Sequence, residues 1–384
     1  MDFSLSPEQQ LLRSSVQELM KRYATPEIVR QHDRDRTFPY ELYDAWIDAD
    51  LIRLAFPEEY GGLGGSPLDM VLVTEEIARV STDLQMAFGS AIFCGLNILD
   101  NGTEEQKRYW LPKLMEGEIR LVVSISEPDA GCDVGALRSV ATRKGDGWVI
   151  NGQKLWASGA GLKNSVMCVY VKTDPTAHYR EGVSLFLVDN DAPGVELRKL
   201  DMLGRRSFGT YEVFFNEVEV SNDRMIGAEN RGWACLLSGL KFERAVDAAT
   251  NLGGAQAILD LATEYAKERM QFGRPIGSFQ SIGHMIADMQ TEVEAARSLV
   301  WRAGWLVSTD QSDALKVINM AKLYASELYA KAGAMGVQVM GAIGLSAESD
   351  MQRYFRDSRS ATIQGGTSQT QRTLIANLLG LKQK

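Results

Sequence analysis

Cysteine and histidine are scarce in this chain. Four cysteines, Cys94, Cys132, Cys168 and Cys235, stand far apart with no CxxC pair. That spacing supports neither a zinc motif nor a disulfide framework, and the four read as reduced thiols, mostly core filler. Three histidines, His32, His178 and His284, form no motif. No metal site and no Ser-His-Asp triad therefore has support in the sequence. No 18-residue stretch is apolar enough to cross a bilayer. Residues 1–15, MDFSLSPEQQLLRSS, lack the basic start and long apolar run of a secretory signal. A cytoplasmic protein without membrane insertion is expected, and a mature organellar enzyme would look the same. Basic residues are outnumbered, 41 Lys and Arg against 50 Asp and Glu, for a net charge of -9. That balance speaks against nucleic acid as a partner, and no concentrated basic and aromatic motif is present.

What is present is enough apolar material for a large core: 45% of 384 residues are hydrophobic. The pattern divides into three segments. Residues 1–118 read as helices. Ser6 is placed to cap the first, with Pro7 at its opening position and Gln9 closing a capping box. Residues 119–225 read as a mainly β domain. VMCVYVK, VSLFLVD and YEVFFNEVEV are strand candidates, and Asn151–Gly152 predicts a hairpin turn. Strands do not alternate with helices here, which argues against a Rossmann domain. Residues 226–384 return to helical periodicity, with helices expected over 231–268, 279–308, 311–340 and 367–380, as in a helix bundle.

Four stretches carry candidate chemistry. SISEPDAGCDVGAL offers Ser126, Glu127 and Asp133 among glycines, and fits a turn at a strand end equally well. NGQKLWASGA offers Trp156 as an aromatic cover and Ser158 as a donor; core packing and a satisfied turn hydroxyl are the plainer readings. KERMQFGRPIGSFQ offers Arg269 and Arg274 to a phosphate, Phe272 as an apolar surface and Gln280 as a directional amide, or a solvated helix end followed by a turn. ATIQGGTSQTQR is polar and glycine-bearing and has no Asp or Glu.

The order and spacing of SISEPDAGCD, NGQKLWASG, FERAV, ERMQFGRPIGSFQ and IQGGTSQTQR resemble the acyl-CoA dehydrogenase family along nearly the whole chain. The resemblance implies an N-terminal α-helical domain, a middle β domain and a C-terminal four-helix-bundle domain. It also implies FAD as cofactor, an acyl-CoA substrate, electron-transferring flavoprotein as electron acceptor and a homotetramer. In such enzymes a glutamate takes the α proton of the thioester and flavin N5 receives the β hydride. Carried over by position, Val123, Ile125, Ser126, Trp156 and Ser158 lie beside the isoalloxazine. Arg269, Gln271, Phe272 and Gln280 are lent to a neighbouring subunit's FAD. Gln338 and Gly341 serve its adenosine side, and Thr367 and Gln369 complete the site. Cys132 stands where a serine commonly meets the CoA part of the substrate, and a thiol is the weaker donor.

The usual catalytic glutamate is missing, because its position holds Gly365. A minority branch, including isovaleryl-CoA and long-chain dehydrogenases, carries its base on an earlier helix. The matching residue is Glu243. The residues themselves partly agree. Leu236, Gly239, Leu240, Glu243 and Val246 recur at helical spacing, which sets Glu243 near an apolar face. Burial there, and a like charge on Asp247, raise a carboxylate's pKa. A boundary carboxylate paired with Arg or Lys is the alternative. Arg244 is expected to support the site, and Gln364 replaces an aromatic beside the usual base, which suits a polar or branched acyl group. Residues 85–92, with Met86 and Phe88, are expected near the pocket floor. Two other readings stay open: an enoyl-CoA reductase acting on a functionalised, for instance carnitine-derived, thioester, and a noncatalytic CoA- or protein-binding relative.

Overall fold

The structure is a computed structural model that describes residues 4–309 and 311–381. Its N-terminal part holds α1 (Pro7–Tyr23), α2 (Pro26–Asp35), α3 (Tyr40–Asp48), α4 (Pro67–Val80), α5 (Thr82–Asn101) and α6 (Glu104–Met115). The start of α1 follows its sequence signal: Ser6 accepts from the Gln9 amide and the Gln9 side chain answers the Ser6 amide. Ser66 and Thr103 open α4 and α6 with the same reciprocal pair, so three of these helices have locally encoded starts.

The middle part is an eight-stranded sheet. Its strands are β1 (Arg120–Ser124), β2 (Val140–Lys144), β3 (Gly147–Ser158), β4 (Ser165–Lys172), β5 (Val183–Asp189), β6 (Val195–Lys199), β7 (Thr210–Ser221) and β8 (Met225–Ile226). They lie in the order β6-β7-β3-β2-β4-β5-β8, with β1 joined parallel to β4. The three strand candidates are β4, β5 and most of β7.

The turn expected at Asn151–Gly152 is not there. The β2–β3 hairpin closes at Gly145–Asp146, where Gly145 has φ 58. Asn151 and Gly152 lie inside β3, opposite a register shift in β7. There Glu217 takes φ 52 and exchanges hydrogen bonds with the Asn151 side chain. Gly152 is required by contact and not by a turn: a Cβ on it falls 2.3 Å from Ser139 Oγ.

The C-terminal part comprises α7 (Gly232–Glu268), a small β9 (Met270–Gln271) and β10 (Arg274–Pro275) hairpin, α8 (Gln280–Val307), α9 (Ala314–Met340), α10 (Asp350–Ala361) and α11 (Ser368–Leu378). Helix α10 lies outside the four spans predicted from periodicity. Its residues are mostly polar, yet it buries Arg353, Asp357 and Ser358 beside Met351 and Tyr354. Alanine-rich α7 packs on α4, α5, α8 and α9, and one apolar core runs through the bundle. A second core joins the N-terminal helices to the sheet. The two cores meet along α7, the helix that carries Glu243.

Candidate active site

Glu243 sits in the first half of α7, and its carboxylate makes no hydrogen bond or ion pair to any described residue. By surface area the residue keeps a partial opening to solvent, but the groups around its carboxylate are mostly protein. Burial pushes its pKa up, the Asp247 carboxylate one turn on adds to the rise, and Arg244 and Lys322 oppose it; the result is about 7. Of the two sequence readings, the paired boundary carboxylate does not hold.

The partners of Asp247 come from the far end of the chain. Gln364 Nε2 donates to Asp247 Oδ1 at 2.6 Å, and Lys322 Nζ lies 3.6 Å from Asp247 Oδ2. The fully buried Lys322 ammonium also donates to the carbonyls of Ala361 (3.2 Å), Gln364 (2.8 Å) and Gly366 (2.8 Å). One buried cation thus pins the turn between α10 and α11 against α7. Gly365 and Gly366 have φ 59 and 87 in that turn, a conformation glycine adopts without strain. Sequence reading missed Lys322, because a lysine in a helical run ordinarily marks a solvated face. Arg244 Nη1 donates to the buried Asn319 Oδ1 at 2.9 Å, and burial draws the Arg244 pKa down.

A second group forms where β1 and β3 end. Val123 is in β1, with Ile125 and Ser126 just beyond, and the Ser126 carbonyl accepts from the Leu155 amide at 2.8 Å. The β3–β7 register slips between Lys154 and Ala157. At that bulge Trp156 takes φ 65 and turns its indole outward, leaving it 54% exposed. Core packing therefore does not describe Trp156. Ser158 Oγ lies 3.3 Å from Thr210 Oγ1. Glu127, in contrast, faces inward. Burial alone opposes its ionisation, but Lys154 at 2.7 Å and the amides of Arg138 and Ser139 hold its pKa below the usual range. The same burial brings the Lys154 pKa down to about 8. Glu127 stiffens the loop and does not serve as a ligand contact.

That loop meets the helical part directly. Thr370 Oγ1 donates to the exposed Cys132 Sγ at 3.6 Å, and Thr367 caps α11 by accepting from the Thr370 amide at 3.1 Å. Gln369 is exposed on the same helix. The structure thus gathers Val123, Ile125, Ser126, Trp156, Ser158 and Cys132 at one edge of the sheet, with Thr367 and Gln369 across from them. Glu243, Arg244, Gln364 and Gly365 gather on the adjoining side of the same turn.

Six other candidates are not brought to this group within one chain. Arg269, Gln271, Phe272 and Gln280 are exposed along the β9–β10 hairpin and the start of α8, in a segment that packs on α7 and α8. Phe272 is 93% exposed at φ 51 and leans edge-on against Phe279. Gln338 and Gly341 are exposed where α9 ends. Of the expected pocket floor, Phe88 points away, buried edge-on against Trp46, whereas Met86 is partly exposed with its sulfur 2.9 Å from Arg205 Nη1. Among the described residues no group of His, Cys, Asp and Glu is arranged to hold a metal ion, and no helix is long and apolar enough to cross a membrane.

Residues 6–118, 123–218 and 230–380 match, in that order, the families described as acyl-CoA dehydrogenase N-terminal, middle and C-terminal domains. A glutaryl-CoA dehydrogenase of Desulfococcus multivorans is 36% identical over 389 residues, covering 100% of this chain and 99% of that protein. Subunit CarC of the caffeyl-CoA reductase-Etf complex of Acetobacterium woodii is 34% identical, covering 97% of this chain and 98% of its own length. Among solved structures, butyryl-CoA dehydrogenase from Megasphaera elsdenii superposes with a TM-score of 0.93 at 30% identity, covering 99% of this chain and 100% of that one.

Proposed function

The chain belongs to the acyl-CoA dehydrogenase family of FAD-dependent oxidoreductases, and from that premise we propose that it oxidises an acyl-CoA thioester to the trans-2-enoyl-CoA with Glu243 as the α-proton base. The observation that carries this reading is the Glu243 carboxylate. It has no hydrogen-bond partner, is largely enclosed and is poised at about 7. A base with a pKa near the working pH combines an ionised fraction with real proton affinity. Gly365 removes the competing carboxylate from the other position.

The residues present fit FAD. An outward-turned indole at Trp156, the half-buried Ser126 and the Ser158–Thr210 hydroxyl pair form a flat polar and aromatic edge beside the base. We assign Val123, Ile125, Ser126, Trp156, Ser158, Thr367 and Gln369 to FAD within the chain. Arg269, Gln271, Phe272, Gln280, Gln338 and Gly341 go to FAD across subunit contacts; their exposure in the single chain supports this, and a homotetramer satisfies it. FAD, when bound, supplies the hydride acceptor for the substrate's β carbon. Glu243 takes the α proton, and Arg244, Gln364, Gly365 and Cys132 contact or shape the thioester. Domain edges at 118/119 and 225/226, a cytoplasmic setting in acyl-chain or branched-chain catabolism, and electron-transferring flavoprotein as acceptor belong to the same proposal.

The test is an anaerobic visible spectrum of the purified protein before and after isovaleryl-, isobutyryl-, butyryl-, octanoyl- and palmitoyl-CoA. Bleaching of a flavin band by one of them supports oxidation. A flavin that none of them bleaches, but that an enoyl-CoA reoxidises after chemical reduction, moves the reading to a reductase. The similarity to the caffeyl-CoA reductase subunit favours that second reading, in which a protonated Glu243 delivers the proton to Cα.

Asp247 gives a direct check on the base. Its carboxylate raises the Glu243 pKa, and Asp247→Asn removes the charge while keeping a partner for Gln364. The rising limb of the kcat/KM profile, set by ionisation of Glu243 near pH 7, is expected to move to lower pH in Asp247→Asn. A limb that stays in place removes Glu243 from the profile.

A further inference from the structure

We propose that Arg205 sets the acyl specificity of this site and selects thioesters whose acyl chain ends in a carboxylate; the inference rests on the acyl-CoA reading above. Arg205 lies in the loop between β6 and β7, at φ 56, with its amide donating to Asp357 Oδ1 at 2.7 Å. Left-handed backbone at a non-glycine residue is uncommon and points to an imposed conformation. That conformation brings the guanidinium to the Gln364 turn, which packs on the helix that carries the base. Its Nη1 contacts Met86 Sδ of α5 and donates to Gln364 Oε1, while Gln364 holds Asp247 one turn beyond Glu243.

No carboxylate pairs directly with the guanidinium, although the buried Asp83 lies close enough to interact with its charge and Asp357 accepts the Arg205 amide. Arg30, Arg297 and Arg356, similarly sheltered, each meet a carboxylate. Arg205 has no ion-pair partner among the described residues, and its Nε and Nη2 are buried without a hydrogen bond. Buried donors without acceptors are costly, more so on a charged group. The neighbouring carboxylates do not meet these donors: Asp83 accepts the Ser207 and Phe208 amides, Asp357 accepts the Arg205 amide, and Asp247 is engaged by Gln364 and Lys322. A carboxylate at the end of an acyl chain does. It displaces the Gln364 oxygen, turns the guanidinium about its stem and takes two parallel N–H donors, while Gln364 keeps its amide on Asp247. A methyl end leaves the donors unmet, and a cationic end is repelled.

Two paired series test this on the holoenzyme: succinyl-, glutaryl- and adipyl-CoA against butyryl-, valeryl- and hexanoyl-CoA. Binding is measured by calorimetry in the Glu243→Gln background, where turnover is strongly suppressed, and kcat/KM in the parent. The carboxylate series is expected to bind about 10- to 100-fold tighter than its methyl-ended counterpart at the best length. Arg205→Met abolishes that preference with little change for the methyl series, and Arg205→Lys retains part of it. Equal or weaker binding of the carboxylate series overturns the inference, as does an Arg205→Met variant that weakens both series alike. Flavin bleaching by the methyl series alone also overturns it and leaves dehydrogenation standing. A calorimetric carboxylate preference without bleaching by either series supports selection by Arg205 and counts against dehydrogenation.

Discussion

Glu243→Gln is expected to retain FAD and acyl-CoA but to lose α-proton exchange, with turnover falling by about 10²- to 10⁴-fold. The amide keeps the size and polarity of the side chain and removes the base. With Gly365 at the alternative position, no second carboxylate takes over. Asp247 is not a substitute, because Gln364 and Lys322 already engage its carboxylate. Mass-spectrometric exchange of the α deuterium of a bound thioester reads this directly; near-parental exchange ends the assignment. The same substitution has a stability signature. The folded pKa of Glu243 is raised to about 7 from an ordinary 4.5. A group raised in this way is accommodated while protonated, below the unfolded pKa, and that stability is lost as pH rises through the folded pKa. Glu243→Gln is therefore expected to melt higher than the parent at pH 8 and to match it near pH 4. The difference is about 1–3 kcal/mol after discounting for the partial exposure of the residue. Melting curves at the two pH values check it, and a difference of the same size at both contradicts the buried-base description.

Lys322→Met is expected to destabilise the protein by about 3–5 kcal/mol, because it removes one member of a buried ionic group and leaves the others in place. The carbonyls of Ala361, Gln364 and Gly366 lose their shared donor, and Asp247 loses its cation. Roughly 2–4 °C of melting temperature follows each kcal/mol in a domain of 150–250 residues. Lys21→Met is the matched control. Lys21 pairs with Glu18 at the surface, with both side chains about 70% exposed, 70% and 72%, and such pairs contribute little. Equal melting temperatures for the two variants would falsify the structural role of Lys322. Activity should fall with stability, since the released turn carries Gln364 and Gly365 and the loss of the cation drives the Glu243 pKa further up.

Glu243 was legible because its helix is long and its apolar neighbours repeat at helical spacing, and the start of α1 was legible because a capping box is encoded within four residues. The motif order identified the family for a similar reason: each motif is a short local string. Asn151–Gly152 misled, because the same dipeptide suits a tight turn and a close strand crossing, and only Ser139, packed against it from β2's leading end, separates the two. Helix α10 escaped because Arg353 and Asp357 read as a solvated face, although Arg353 reaches the Val80 carbonyl and Asp357 holds the Arg205 amide.

By itself, then, the sequence determined the helical and β segments and the family, and singled out Glu243 as the candidate base, since periods, caps and motifs are written in neighbouring residues. Tertiary structure alone decided that Lys322 is buried under the glycine turn and that Arg205 faces Gln364 across 159 positions. The reason is physical: desolvation and Coulomb energy depend on which groups lie within a few ångströms, and those groups come from strands and helices that only the folded chain brings together.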